Sequence, residues 1–177
     1  PDNSVDLVVT DPPYEIHFSG EGMATEQSIR KTYDQIENRF DKGFDFDNVI
    51  SELFRVCSPF KGFFFTSKNQ IPQYIALIQK LKLNFDILTW HKVNPIPMVK
   101  NVFLPDTEYI IFFREKGASL NNDIQNSSKY FISRIGENGT TQKNLHPTQK
   151  PIQLIKRYIS KASKENGRQY LVWQVEL

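Results

Sequence analysis

Residues 5–14 read Val5-Asp6-Leu7-Val8-Val9-Thr10-Asp11-Pro12-Pro13-Tyr14, and the fold turns on how this stretch is read. Val5 to Thr10 is a short run rich in β-branched side chains, closed at once by Asp11-Pro12-Pro13. It reads as a buried strand running into a stiff loop. Beyond it, Asp47 to Cys57 places Val49, Ile50, Leu53, Phe54 and Cys57 at helical spacing, and Ser58-Pro59 stops that helix. Gly62 to Thr66 reads as a second strand. Ile71 to Leu83 reads as a helix through Tyr74, Ile75, Ile78 and Leu81, with Pro72 in its first turn. Phe85 to Lys92 and Glu108 to Arg114 follow as strands. Gly117 to Asn144 is polar and aperiodic, a loop region with one short strand at Tyr130 to Ser133. Pro151 opens a last helix to Ala162, with Ile152, Ile155 and Ile159 on one face, and Tyr170 to Val175 reads as the final strand. Strands alternating with helices predict a parallel, doubly wound α/β sheet covered on both faces. Such sheets take ligands beyond the carboxyl ends of their strands, and Asp11 to Tyr14 is at such an end.

The bulk composition narrows the classes. A chain of 177 residues, 39% hydrophobic and 13% aromatic, supports one globular core, and wholesale disorder is excluded. A formal charge of +2 is compatible with nucleic-acid binding but does not argue for it. The single cysteine, Cys57, excludes an internal disulfide framework and fits a reducing compartment, so the expectation is a cytoplasmic protein. No apolar run approaches the length of a membrane span. His17, His91 and His146 are too scattered, and Cys57 too isolated, for a metal site. Trp90 and Phe63 to Phe65 read as core, and Lys92, Lys100 and Lys143 as solvated lysines.

Asp11-Pro12-Pro13-Tyr14 carries the chemistry. Asp11 is a strong acceptor. A Pro-Pro pair has no N–H and a fixed φ, so it presents its carbonyls stiffly, and the Pro12 carbonyl is a second acceptor. Two acceptors match the two hydrogens of an exocyclic amine, and binding them favours a tetrahedral nitrogen whose lone pair is free to react. Tyr14 offers a ring on which an unstacked base can rest, worth about 1 to 3 kcal/mol per base. The same residue types also make an ordinary turn at the end of a strand, with Tyr14 on the surface.

SVDLVVTDPPY resembles the catalytic motif of the amino-group DNA methyltransferases, in which DPPY goes mainly with adenine. FDNVISELFRVCSPFKGFFFTSK, ILTWHKVNPIP and DTEYIIFFREKGA are similar to the family's following elements, in order. HPTQKPIQLIKRYI is similar to the segment that, in members of permuted order, precedes the cofactor loop. The resemblance implies a circularly permuted, Rossmann-like methyltransferase sheet over residues 1–165. It implies N6 methylation of a flipped adenine in double-stranded DNA, within DNA methylation and restriction-modification, with S-adenosylmethionine as donor. It implies that Asp11, Pro12, Pro13 and Tyr14 form the catalytic loop and that His146, Pro147, Thr148, Lys150 and Pro151 flank the cofactor.

The family's cofactor loop, Asp-Pro-Phe-x-Gly-x-Gly, should follow the helix begun at Pro151. Instead Asn166-Gly167 is followed by RQYLVWQVEL, with no later glycine. The expectation is therefore a partial domain over residues 1–177 that does not transfer methyl groups by itself, its tail from Arg168 being a shifted-frame reading of the missing loop. The alternatives are a catalytically silent remnant or partner subunit that binds nucleic acid, and a methylase of RNA, in which a flipped adenine presents the same amine. Glu15 to Lys42 reads as an insertion after the catalytic loop; it and Gly117 to Asn144 are the two candidates for target recognition.

Overall fold

A computed structural model describes residues 1–12, 46–95, 97, 101–135, 149–164 and 167–172. These form a six-stranded sheet with helices on both faces. The elements are β1 (Leu7–Thr10), α1 (Phe46–Val56), β2 (Lys61–Thr66), α2 (Ile71–Leu81), β3 (Asn84–Lys92), β4 (Thr107–Arg114), β5 (Tyr130–Ser133), α3 (Ile152–Ala162) and β6 (Gln169–Val172). Every expected element is found within a few residues of its predicted bounds. β1 starts two residues late, at Leu7, the expected end of the last strand lies outside the described residues, and the end of α2 is placed two residues early by Lys82. That residue takes the left-handed conformation at φ 53° and closes the helix with its backbone N–H on Ile78 and Gln79 carbonyls.

The strand order is β5-β3-β4-β2-β1-β6. β1 is parallel to β2 and to β6, and β3 is parallel to β5. β4, however, runs antiparallel to both β2 and β3. The expectation of an all-parallel sheet is thus corrected to a mixed one. The reason lies in the connection between β3 and β4: a parallel return needs a crossover, usually a helix, and residues 93–106 carry no helical periodicity.

Alternation along the strands sorts side chains onto two cores. Leu7, Val9, Phe63, Phe65, Trp90, Ile110 and Phe112 pack under α3 through Leu154, Ile155 and Tyr158. Val8, Phe64, Ile111 and Phe113 pack on the opposite face against α1 and α2, through Ile50, Leu53, Tyr74 and Ile78. β1 and β2 are buried along their whole length, which is why they read as continuous apolar runs. Aromatic stacking fills both layers: Phe63 lies on Tyr158 at 4.2 Å, and Phe54 on Phe60 at 4.1 Å.

Gly62 sits beneath the second of these layers. A Cβ there would lie 2.6 Å from Phe64 Cε2 and 2.8 Å from Phe60 Cζ, both atoms of rings already stacked against Phe113. Rigid rings in a packed layer cannot yield separately, so Gly62→Ala is expected to cost about 1–3 kcal/mol in chemical denaturation. A neutral result would mean that the aromatic layer repacks.

Candidate active site

The same alternation gathers a charged cluster at one end of the α3 face. Asp11 follows β1 in phase with Leu7 and Val9, Lys92 ends β3 in phase with Trp90, and Glu108 begins β4 in phase with Ile110 and Phe112. Because β4 is antiparallel, its first residues lie beside the carboxyl ends of β2 and β3: Thr66 is paired with Tyr109, and Trp90 with Glu108. Lys150 comes in from above, immediately before α3.

These four residues form one chain of ion pairs. Lys150 Nζ lies 2.9 Å from Glu108 Oε2 and 3.2 Å from Asp11 Oδ2. Glu108 Oε1 in turn accepts from Lys92 Nζ at 2.7 Å. Lys150 is only 3% exposed, and its ammonium also lies 5.1 Å from the centre of the Phe65 ring, within cation–π range. A lysine so buried is tolerated only when paired. Burial works to discharge Lys150, but Glu108 and then Asp11 outweigh it and raise its pKa above the ordinary lysine value. Burial likewise works against the Glu108 charge, but Lys150 and then Lys92 outweigh it and hold the carboxyl below the ordinary glutamate value. Both shifts favour the charged forms of Lys150 and Glu108 at neutral pH.

Of the residues expected at the site, Asp11 and Lys150 are in direct contact, with Pro12 next to the first and Pro151 next to the second. Pro151 stands at the start of α3, where its carbonyl accepts from the Leu154 and Ile155 amides. Pro13, Tyr14, His146, Pro147 and Thr148 lie outside the described residues, as do most of the insertion after the catalytic loop and part of the region from Gly117 to Asn144. Two members of the cluster were not anticipated. Local pattern marks Glu108 only as the start of a strand, and a lone acid heading an otherwise apolar run is the signal that singles it out. Lys92 was read as solvated, and the structure corrects this: its side chain is 15% exposed and paired with Glu108. Trp90 and Phe63 to Phe65 are core, as expected. Among the described residues no group of His, Cys, Asp and Glu is arranged to hold a metal ion, and no helix is long and apolar enough to cross a membrane. A cavity of about 330 Å³ lined by Pro1, Val5, Glu52 and Arg55 opens at the far end of β1, away from Asp11.

A family model described as DNA methylase matches residues 5–168. Among characterised proteins, the chain is 27% identical over 187 residues to the type II methyltransferase M2.MboI of Moraxella bovis, covering 93% of this chain and 66% of that protein. It is 28% identical over 186 residues to M.HpaI of Haemophilus parainfluenzae, covering 93% of this chain and 55% of that protein. The chain thus spans between about half and two thirds of the length of these relatives. Among solved structures, that of the M1.HpyAVI–SAM complex superposes with a TM-score of 0.65 at 20% identity, covering 98% of this chain and 84% of that one.

Proposed function

We propose, from the premise that this chain belongs to the amino-group DNA methyltransferase family, that it provides the catalytic loop for transferring a methyl group from S-adenosylmethionine to the N6 amine of an adenine flipped out of double-stranded DNA. What supports the reading is one contact. The Asp11 carboxylate of DPPY and the Lys150 ammonium of HPTQKP, far apart in sequence, lie 3.2 Å apart at the carboxyl end of β1. Both segments would have to meet there for an amine and a methyl donor to react.

In this reading Asp11 and the Pro12 carbonyl accept the two amine hydrogens and turn the nitrogen lone pair out of the ring plane. Tyr14 stacks on the flipped base. His146, Pro147, Thr148, Lys150 and Pro151 flank the cofactor, Lys150 with its ammonium on the two carboxylates. The charge of the cluster suits the donor: two carboxylates face two ammoniums, so the site does not repel a positively charged sulfonium. Bound there, S-adenosylmethionine would supply a methyl group to the nitrogen lone pair, the carbon–sulfur electron pair staying on sulfur and the nitrogen releasing a proton.

The test is product identification. Purified protein is incubated with duplex DNA and methyl-labelled S-adenosylmethionine, and the DNA is digested to nucleosides. Label on N6-methyladenine is the expected result, and it would overturn the expectation, drawn from the lack of a glycine after Gly167, that these 177 residues transfer no methyl group by themselves. Label on N4-methylcytosine would overturn the choice of base, and no label despite saturable cofactor binding would overturn the assignment of transfer to this chain.

A further inference from the structure

We infer that Glu108 is a positioning residue for the amine acceptor: it shares the Lys150 ammonium with Asp11 and is itself held by Lys92, so that Asp11 stays ionised without being fully neutralised. The inference rests on the reading of Asp11 as the acceptor given above.

The geometry distinguishes this from a simple buried ion pair. Lys150 has three N–H donors and almost no access to water, so its charge is divided among what it touches. The contact to Glu108, at 2.9 Å, is shorter than that to Asp11, at 3.2 Å. One carboxylate would suffice to pair one ammonium. Here a second carboxylate competes for it, and a second ammonium, Lys92, keeps that competitor in place at 2.7 Å. Lys92 is anchored in its turn 5.3 Å from the centre of the Trp90 ring, whose Nε1 donates to Ser133 Oγ at 2.9 Å.

The chemistry needs such a division. An amine that gains a methyl group carries positive charge until it releases a proton, and stabilising that charge as it develops is what an anionic acceptor contributes. A carboxylate matched one-to-one with a buried lysine would have little field left over. A carboxylate with no cation beside it, close to Glu108, would be driven to take up a proton and lose its charge altogether. Sharing one ammonium between two carboxylates avoids both extremes. Among the described residues the buried phenol of Tyr74 also senses the Asp11 charge, from the opposite face of the sheet.

Two variants of opposite electrostatic sign test the inference. Glu108→Gln keeps an acceptor for Lys150 but removes the competing charge, and Lys92→Met removes the cation that restrains Glu108. In protein carrying carbon-13 aspartate, the Asp11 carboxyl resonance is followed against pH. Its titration is expected to move to lower pH in Glu108→Gln and to higher pH in Lys92→Met. A loosened fold would move both in the same direction; that outcome, or no movement in either, would overturn the inference. Methyl transfer in Glu108→Gln is expected to fall about tenfold in kcat with KM for DNA within about twofold, and Glu108→Asp to recover part of the loss. Unchanged kcat in Glu108→Gln would also overturn it. A wild-type protein that transfers no methyl would sink the proposed function instead, and the titrations would still decide the role of Glu108.

Discussion

Lys150→Met is expected to lower the free energy of unfolding at neutral pH by about 3–5 kcal/mol, the range seen when one partner of a buried ion pair is removed. Methionine fills the space of the lysine stem, so little cavity is left and the loss reports charge. Asp11 and Glu108 would remain as two carboxylates at the carboxyl end of β1, with Lys92 still paired to Glu108. The pH dependence follows from the two shifted groups. Glu108 titrates below its ordinary value of 4.5 in the folded protein, so its contribution is present above that pH and fades as pH falls through the folded value. Lys150 titrates above its ordinary value of 10.5, so its contribution is present below that pH and fades as pH rises through the folded value. The gap between wild type and Lys150→Met should hold through the neutral range and narrow in strong acid, where the stranded carboxylates accept protons. Denaturant unfolding at a series of pH values measures it. A gap under about 1 kcal/mol, the size of a solvent-exposed pair, would show that water reaches the cluster.

Asp11→Ala is expected to reduce methyl transfer by about 100-fold or more, the scale of removing one preorganised group that stabilises charge in a transition state. The effect should fall on kcat, because the acceptor acts most strongly when the amine becomes cationic. Stability should suffer less than in Lys150→Met, since Lys150 keeps Glu108 as its partner. The pair of variants therefore separates the two carboxyl-end residues: one dominates folding, the other turnover. Initial rates with labelled cofactor, alongside unfolding curves, check both halves. Transfer within a few-fold of wild type would remove Asp11 from the catalytic loop.

Much of this architecture was legible in the sequence because it depends on local pattern. Continuous apolar runs marked β1 and β2 as buried on both faces, and Pro151 marked the start of α3. What escaped depends on pairing between distant segments. Nothing within TEYIIFFR states which way the strand runs; the hint was the non-helical character of residues 93–106. A parallel β4 would carry Glu108 to the opposite end of the sheet from Asp11, so the partnership with Lys150 depends on a strand direction that the local pattern does not specify. Lys92 was missed for a related reason: a lysine at the end of a strand is ordinarily solvated, and only the arrival of Glu108 beside it makes burial affordable. The αL residue that ends α2 is a lysine rather than the glycine or asparagine that usually signals such a stop.

The antiparallel course of β4 also decides which charge reaches the carboxyl end of β1. A strand carries different residues at its two ends, and this one has Glu108 near the first and Arg114 at the last. Running antiparallel, it delivers the acid to the edge where Asp11 and Lys150 meet. Laid down parallel in the same slot, it would deliver the guanidinium there instead, and Asp11 would face three cations with one carboxylate fewer beside it. Strand polarity, usually discussed as a matter of hydrogen-bond pattern, here decides which end of the same eight residues, acid or guanidinium, is set beside Asp11.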